Sequence, residues 1–161
     1  MISAPITYCA EDLALVSAFQ TLPLEAQFGS YWSDVGLEKL RSRVKAFYID
    51  AQNRRCCYCN RHLGTDNHRV WDVEHIVSRN KHARFMFEPT NLAASCPDCN
   101  NHKADKEVLV KTKRRKYPKV SYAFRIVHPH FDSFAEHIYH EDMVYLGKTE
   151  KGKTLSTHAI F

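Results

Sequence analysis

Residues 91–103 have the sequence NLAASCPDCNNHK, and this stretch, together with CCYC at residues 56–59, decides the fold that we predict. Each stretch contains one CxxC unit, formed by Cys56 with Cys59 and by Cys96 with Cys99. One CxxC turn presents two thiolates to an ion, and two turns supply the four sulfur ligands of a tetrahedral zinc site. The spacing therefore predicts a structural zinc ion held by these four cysteines.

The remaining cysteines and the distance between the two pairs offer an alternative zinc ligand and constrain the fold between the pairs. Cys57 is an alternative ligand, but it would pair with Cys59 through a CxC unit, which closes a more strained loop. The two pairs are separated by residues 60–95, a longer insert than a short zinc ribbon contains. A further structural element must therefore lie between the pairs. A closed four-thiolate site keeps no position open for water, so we expect its role to be structural.

The insert carries the residues that can do chemistry. Residues 69–76, RVWDVEHI, favour a β-strand, and Leu92–Ser95 favours a short second strand. The neutral imidazole of His75 can take a proton from water near neutral pH, and oxygen ligands such as the Glu74 carboxylate suit Mg²⁺. Consecutive strand residues face opposite sides, so these two side chains can share a site only if the strand ends or bends there.

The order of CCYC, VEHIVSR and NLAASCPDCNNHK resembles the HNH endonuclease family over residues 55–106. In that family a CxxC unit precedes an Asp/Glu-His pair, an Asn, and a second CxxC followed by Asn/His-x-x-Lys. The resemblance implies an α+β fold built on a ββα-metal finger with one catalytic metal. It implies the following roles by position: His75 as the general base, Glu74 and Asn100 as ligands of Mg²⁺ or Mn²⁺, Asn91 as the residue that holds the active-site loop and orients the base, and Lys103 as a phosphate contact.

Two positions depart from the usual family pattern. Glu74 stands where Asp is more familiar, and its longer side chain shifts the expected metal position. Asn100 stands where other members have His; it is a weaker ligand, which favours Mg²⁺ over softer metals.

The sequence predicts three regions. Residues 1–53 form an N-terminal helical region, with helices over Asp12–Leu22 and from Leu37 onward. Residues 54–110 form the nuclease core, closed by a helix over residues 104–110. Residues 111–161 form a basic connector and a small C-terminal extension, for which we predict strands at 122–127 and 143–146 and a hairpin turn between Gly147 and Gly152.

The charge pattern suits a polyanionic partner. Lys and Arg number 23 against 18 Asp and Glu, giving a net charge of +5. We expect double-stranded DNA to contact Arg79 and Arg84 beside the proposed site and Lys113, Arg114 and Arg115 in the connector. The sequence has no apolar run long enough to span a bilayer and no secretory signal, so we expect a cytoplasmic protein without a membrane partner.

The segment IVHPHFDSFAEHI, residues 126–138, is rich in histidine. A second metal site is a minor alternative here, because Pro129 makes the HxH a turn rather than a strand. The segment also resembles a tail found on stand-alone bacterial HNH proteins linked to anti-phage defence systems such as Septu, Zorya or retron loci. That resemblance implies a protein partner from a defence system.

Together these features predict a metal-dependent endonuclease that hydrolyses phosphodiester bonds in DNA. Because one such site cuts one strand at a time, nicking is an expected outcome. Three alternatives stay open: a zinc-stapled DNA-binding module, an interaction subunit that does not cut on its own, and a ribonuclease.

Overall fold

The computed structural model describes residues 2–141 and 144–158. Helices and two separate two-stranded sheets share this part of the chain, which confirms the predicted α+β class. The elements are α1 (Ala10–Gln20), α2 (Glu38–Ala51), β1 (Asp72–His75), β2 (Leu92–Ser95), α3 (Pro97–Lys103), α4 (Phe134–His137), β3 (Ile138–Glu141), β4 (Val144–Gly147) and α5 (Glu150–His158). Short 3₁₀ turns connect several of them.

Helix α2 leads directly into the first CxxC unit. Its apolar stripe, which includes Leu40, Val44 and Tyr48, is buried, as the helical periodicity predicts. Just after the helix, the Gln52 side chain donates a hydrogen bond to the Ala94 carbonyl and accepts one from its N–H, both at 2.8 Å. These two hydrogen bonds fasten the end of α2 to β2 and so fix the position from which the first CxxC unit begins.

The predicted ββα arrangement is present. Strands β1 and β2 pair antiparallel, with Asp72 opposite Ser95 and His75 opposite Leu92. Helix α3 begins directly after Cys96, with Pro97 at its first position, where the missing N–H of proline costs nothing. The hairpin and this helix place the Glu74-His75 pair close to the residues that follow the second CxxC.

The predicted helix over residues 104–110 is wrong, because α3 ends at Lys103. Ala104 has a φ of 44°, a left-handed conformation that interrupts helical hydrogen bonding. The next residue, Asp105, accepts hydrogen bonds from the Asn80 amide at 3.0 and 3.2 Å and a short one from the Ser78 hydroxyl. The chain after α3 is thereby tied to the loop that follows β1.

The C-terminal extension differs from its prediction in three respects. Its hairpin pairs β3 with β4, and Gly147 ends β4, so the stretch from Gly147 to Gly152 is not the hairpin turn. The charged stretch predicted as a turn instead begins α5. The strand predicted over 122–127 is also wrong, since Phe124 makes only an isolated bridge. The predicted strand over 143–146 is confirmed from Val144 on, and residue 143 lies outside the described residues.

An aromatic layer joins the N-terminal region to the ββα unit. Phe19, Tyr31, Trp32 and Phe87 have ring centroids 4.8–6.2 Å apart. Trp32 lies in a 3₁₀ turn, Gly29–Ser33, which this layer holds against the loop after β1. Among residues 2–141 and 144–158, none of the helices has the length and apolar character needed to cross a bilayer.

Candidate metal centre and active site

The four predicted cysteines form one buried cluster. The Sγ atoms of Cys56, Cys59, Cys96 and Cys99 all lie within 4.8 Å of one another, and that of Cys59 is 4.0 Å from that of Cys96. In addition, the Cys96 N–H points at the Cys56 sulfur at 3.3 Å. Four converging thiols are the donor set of a structural zinc site, so the residues present fit this ion.

Cys57 is outside the cluster. Its backbone N–H donates instead to the Ala94 carbonyl of β2 at 3.0 Å, so the first knuckle is anchored on the sheet. The CxxC pairing that the sequence predicts therefore accounts for the cluster without the alternative ligand.

His75 is the last residue of β1, and its imidazole is only 4% exposed. Neither ring nitrogen makes a hydrogen bond of ordinary geometry with a described residue, although the Met86 backbone lies close enough to act on the pKa of the ring and raise it. Burial, reinforced by the positive charges of Arg79 and Lys103, holds the pKa of His75 well below its ordinary value, so the ring is neutral at neutral pH. The Trp32 ring packs perpendicular to it with centroids 4.6 Å apart, which restricts its orientation.

Asn91 fastens the loop between β1 and β2. Its Oδ1 accepts the Val77 N–H at 2.7 Å, and its Nδ2 donates to the carbonyls of Val77 and Phe85 at 3.1 and 2.9 Å. The Asn91 carbonyl also accepts the Ile76 N–H next to His75 at 2.9 Å. This fully buried amide thus closes the loop at three points, in the place where the resemblance implies a loop-holding Asn.

Glu74 is buried beside two donors. Its Oε1 accepts a hydrogen bond from the Tyr58 hydroxyl at 2.8 Å and forms an ion pair with the Lys103 ammonium at 2.5 Å. Burial raises the pKa of Glu74 above its ordinary value, although Lys103 and Tyr58 act in the opposite direction. The carboxyl group is therefore held inside the finger and not at its surface.

Lys103, the last residue of α3, is almost fully buried. Its side chain is 2% exposed, and its ammonium also donates to the His75 carbonyl at 2.6 Å. Both interactions hold the ammonium group next to Glu74 and link α3 to the end of β1. Lys103 also lines the cavity beside His75, and its contact with a phosphate stays a prediction.

One polar cavity of about 240 Å³ brings most of the predicted catalytic residues together. Because β1 ends at His75, the ring of that residue and the Glu74 carboxyl line the same space, as the strand argument required. Asn100 lines it from α3 and donates from Nδ2 to Asp72 Oδ2 at 2.9 Å. The remaining lining includes Ser78, Arg79, Asn80, Lys103 and Asp105. The carboxylate and amide side chains offer oxygen ligands of the kind that a hard divalent cation takes, while Arg79 and Lys103 bring two positive charges to the same space.

Four residues that build this site were missed by the sequence analysis. Trp32 and Gly29 come from the N-terminal region, and Tyr58 lies inside the first CxxC. Asp72, which holds Asn100, precedes Glu74 by two positions and so shares its face of β1. Only this last residue could have been found from strand alternation, since the others depend on tertiary packing.

The predicted nucleic-acid contacts fall on different surfaces. Arg79 lines the His75 cavity, and its Nε donates to the Gly29 carbonyl at 3.1 Å. Arg84 and Arg115 line a separate groove on another side of the aromatic layer. Lys113 is exposed, whereas Arg114 is half-buried, with a buried Nε that has no partner among the described residues. DNA contact by these residues stays a prediction.

The His-rich segment forms a hydrogen-bonded network. His128 Nε2 lies 2.9 Å from the Tyr117 hydroxyl, and His130 Nε2 lies 2.8 Å from the Leu92 carbonyl. Asp132 accepts from the His128 N–H at 2.8 Å and from the Lys151 ammonium at 2.7 Å. Within residues 2–141 and 144–158, the cysteines are the one group with metal-ligand geometry, so a second metal site here is not supported.

The comparison with known proteins gives one informative similarity. No family model matches the chain. The chain is similar to the Septu protein PtuB of Bacillus thuringiensis, with 26% identity over 111 residues. The aligned part covers 69% of this chain and 38% of PtuB, so the chain matches well under half the length of that relative.

Proposed function

We propose that this chain is a metal-dependent DNA endonuclease of the HNH type that acts in anti-phage defence. One observation carries the catalytic part of this proposal: the buried imidazole of His75 has two nitrogens without a hydrogen bond of ordinary geometry to a described residue, and it lines a polar cavity with Glu74 and Asn100. A buried polar group normally has a partner, so this one calls for a water or a substrate as its partner.

The proposed reaction is hydrolysis of a phosphodiester bond. Neutral His75 accepts a proton from a water molecule, the water oxygen attacks phosphorus, and the bond from phosphorus to the leaving oxygen breaks. Trp32 and the loop held by Asn91 fix the ring, so that a lone pair is presented without the cost of reorientation. Arg79, in the same cavity, supplies positive charge near the phosphate.

Glu74 and Asn100 are the residues that would hold Mg²⁺ or Mn²⁺ in this cavity. Such an ion, when bound, supplies Lewis-acid stabilisation of the negative charge that develops on the phosphate oxygens. The Lys103 ammonium is already paired with Glu74, so a divalent cation has to share this carboxylate with Lys103 or displace it. We assign zinc at the four cysteines to folding only.

The defence role rests on the similarity to the Septu protein PtuB and on the C-terminal tail. The same similarity supports a partner protein from a defence system. Invading double-stranded DNA is our proposal for the substrate. The positive net charge is consistent with that substrate.

A second candidate function is that of a DNA-binding subunit whose fold is stabilised by zinc and that does not cleave DNA. The observation that favours it is the engagement of Glu74 with both Lys103 and Tyr58, which leaves this carboxyl less free to bind a metal. The two candidates differ in the effect of removing the His75 ring: a binder keeps its function, and a nuclease loses cleavage while still binding DNA.

Nicking of supercoiled plasmid by the zinc-loaded protein tests the proposal. We expect wild type to produce open circles with Mg²⁺ or Mn²⁺ and not in reactions from which these ions are omitted, while the zinc content stays constant. His75→Ala should abolish nicking and keep DNA binding, and His62→Ala, a change at an exposed ring, should leave both intact. Equal nicking by wild type and His75→Ala would reject the assignment of the base. DNA binding without cleavage by wild type, also with its defence partner added, would favour the second candidate.

A further inference from the structure

A second groove, separate from the His75 cavity, is formed by α1, the loop at residues 84–89 and the connector at residues 115–119. Its volume is about 600 Å³, and it shares no lining residue with the His75 cavity. We call it the α1 groove; its walls include Leu13, Ser17, Arg84, Phe87, Arg115 and Lys116. Nothing in the proposed cleavage reaction uses this surface.

The rim of the α1 groove carries uncompensated positive charge. Arg84, Arg115 and Lys116 are exposed and have no ion pair or hydrogen bond within the described residues. Glu88 is the one acidic residue in the lining, and Lys119 already neutralises it. Three unpaired cations around one depression create a local positive potential that favours an anionic occupant.

Helix α1 contributes an apolar surface to the groove, next to these three cations. The face of α1 that packs on the protein contains Val16 and Phe19, whereas Leu13 is 52% exposed and lines the groove. The buried rings of Phe85 and Phe87 lie beneath it. A single exposed leucine is common on protein surfaces. Leu13, however, is surrounded by the cations of the groove and can contact an apolar side chain of a bound partner.

We propose that the α1 groove docks an acidic segment of a partner protein that carries at least one apolar side chain. The carboxylates of such a segment match Arg84, Arg115 and Lys116, and its apolar side chain covers Leu13. Charge complementarity of this kind raises the association rate and fixes the register of a bound segment. The proposal goes beyond the proposed function, because docking does not require cleavage.

Nucleic acid fits the α1 groove less well. Strand-binding grooves combine cations with aromatic faces on which bases stack. Both tyrosines of this groove are otherwise engaged: the Tyr8 hydroxyl donates to the Phe87 carbonyl at 3.0 Å, and Tyr117, 7% exposed, contacts His128. Phe85 and Phe87 are buried, so the half-buried Tyr8 is the one ring of the described lining with an accessible edge or face, and a phosphate backbone gains nothing from the leucine.

The groove is also connected to the catalytic loop. The Phe85 carbonyl accepts a hydrogen bond from Asn91 at 2.9 Å, and the Phe87 ring lies 5.7 Å from that of Trp32, which contacts His75. A partner seated in the groove therefore touches the same loop that positions the proposed base.

Fluorescence anisotropy with labelled synthetic peptides tests docking directly. The probe is a short amphipathic peptide of Glu and Leu; its matched controls replace every Glu by Gln or every Leu by Ser, and a short DNA duplex is a fourth probe. The groove variant is Arg84→Glu/Arg115→Glu/Lys116→Glu. Its control, Lys39→Glu/Arg69→Glu/Lys111→Glu, changes three exposed residues outside the groove and has the same net charge. Leu13→Ser is compared with Leu24→Ser, a leucine that is also exposed but lies elsewhere.

We expect the Glu/Leu peptide to bind saturably, and its Kd to rise about tenfold or more in the groove variant and in Leu13→Ser but not in their controls. Both control peptides should bind more weakly than the probe. Absence of saturable binding, or an equal loss in the charge-matched control, would overturn the proposal. Loss of duplex binding without loss of peptide binding in the groove variant would assign the groove to nucleic acid. Circular dichroism confirms that each variant is folded, and none of these readouts depends on nuclease activity.

Discussion

Replacing Gly29 with alanine should disturb the packing of the 3₁₀ turn at residues 29–33 on residues 79–80, next to His75. The 3₁₀ turn that starts at Gly29 also carries Trp32, and the Gly29 carbonyl accepts a hydrogen bond from Arg79. A Cβ at this position would lie 2.3 Å from Asn80 Oδ1 and 3.0 Å from both Asn80 Cα and the Arg79 carbonyl. The Asn80 side chain is held by Asp105, so it cannot simply turn away.

The size of the effect follows from these contacts. Carbon atoms pack at about 3.5–4.0 Å, so the backbone of the turn or of residues 79–80 has to move by roughly 0.5–1 Å. Overpacking of this kind costs about 1–3 kcal/mol. For a chain of this size each kcal/mol lowers Tm by about 2–4 °C, so we expect Gly29→Ala to lower Tm by roughly 2–12 °C.

Thermal unfolding of the zinc-loaded protein, followed by circular dichroism, measures this shift. Gly36→Ala is the matched control, because a Cβ at this exposed glycine meets only Asp34 Oδ1, at 3.1 Å. The control should change the free energy of unfolding by no more than about 0.5 kcal/mol. Equal Tm values for the two variants would refute the argument that Gly29 is required by close packing on the loop after β1.

Three further results are expected. We expect native mass spectrometry to find about one zinc ion per chain in wild type and in Cys57→Ser. Cys59→Ser should lose this ion and unfold at lower temperature, and zinc retention by this variant would contradict the ligand assignment. Asn91→Ala removes three buried hydrogen bonds and should reduce the free energy of unfolding, measured in urea, by about 3 kcal/mol or more. Asn91→Asp should keep only the bond from the Val77 N–H, so its free energy of unfolding should lie between those of wild type and Asn91→Ala. Tyr58→Phe takes one donor from the Glu74 carboxylate and should cost about 1–3 kcal/mol in the same assay; an unchanged stability would show that Lys103 alone satisfies this carboxylate.

Local spacing explains the parts of the structure that the sequence predicts correctly. The first CxxC pair lies in a turn and the second at the start of α3, and the short, fully buried strand β2 leads directly into the second pair, so few arrangements are open to these segments. The position of Asn91, directly before β2, places its amide next to the end of β1 in an antiparallel hairpin. These features depend on neighbours in the chain or across one hairpin, which periodicity and spacing describe.

The remaining features depend on packing between distant segments. Ala104 is a good helix former, yet α3 stops there because Asp105 is held by Ser78 and Asn80 on the loop after β1. In the same way, the burial of Lys103 follows from a buried partner, Glu74, and no property of the sequence CNNHK indicates it. Tertiary contacts override local propensity at each of these positions.

The two CxxC units lie on either side of the β1–β2 hairpin in the sequence, and this determines when the four-cysteine site can form during synthesis. A ribosome completes the first cysteine pair before it has made the hairpin of β1 and β2, and the second pair only afterwards. The four-sulfur site can therefore form only once residues 60–95 have been translated, and its metal then closes the whole hairpin into a loop. Until that moment the two ends of the hairpin are not joined, and the His75 cavity has no wall from α3. We therefore expect the supply of zinc during synthesis to limit how many copies of the protein assemble this cavity.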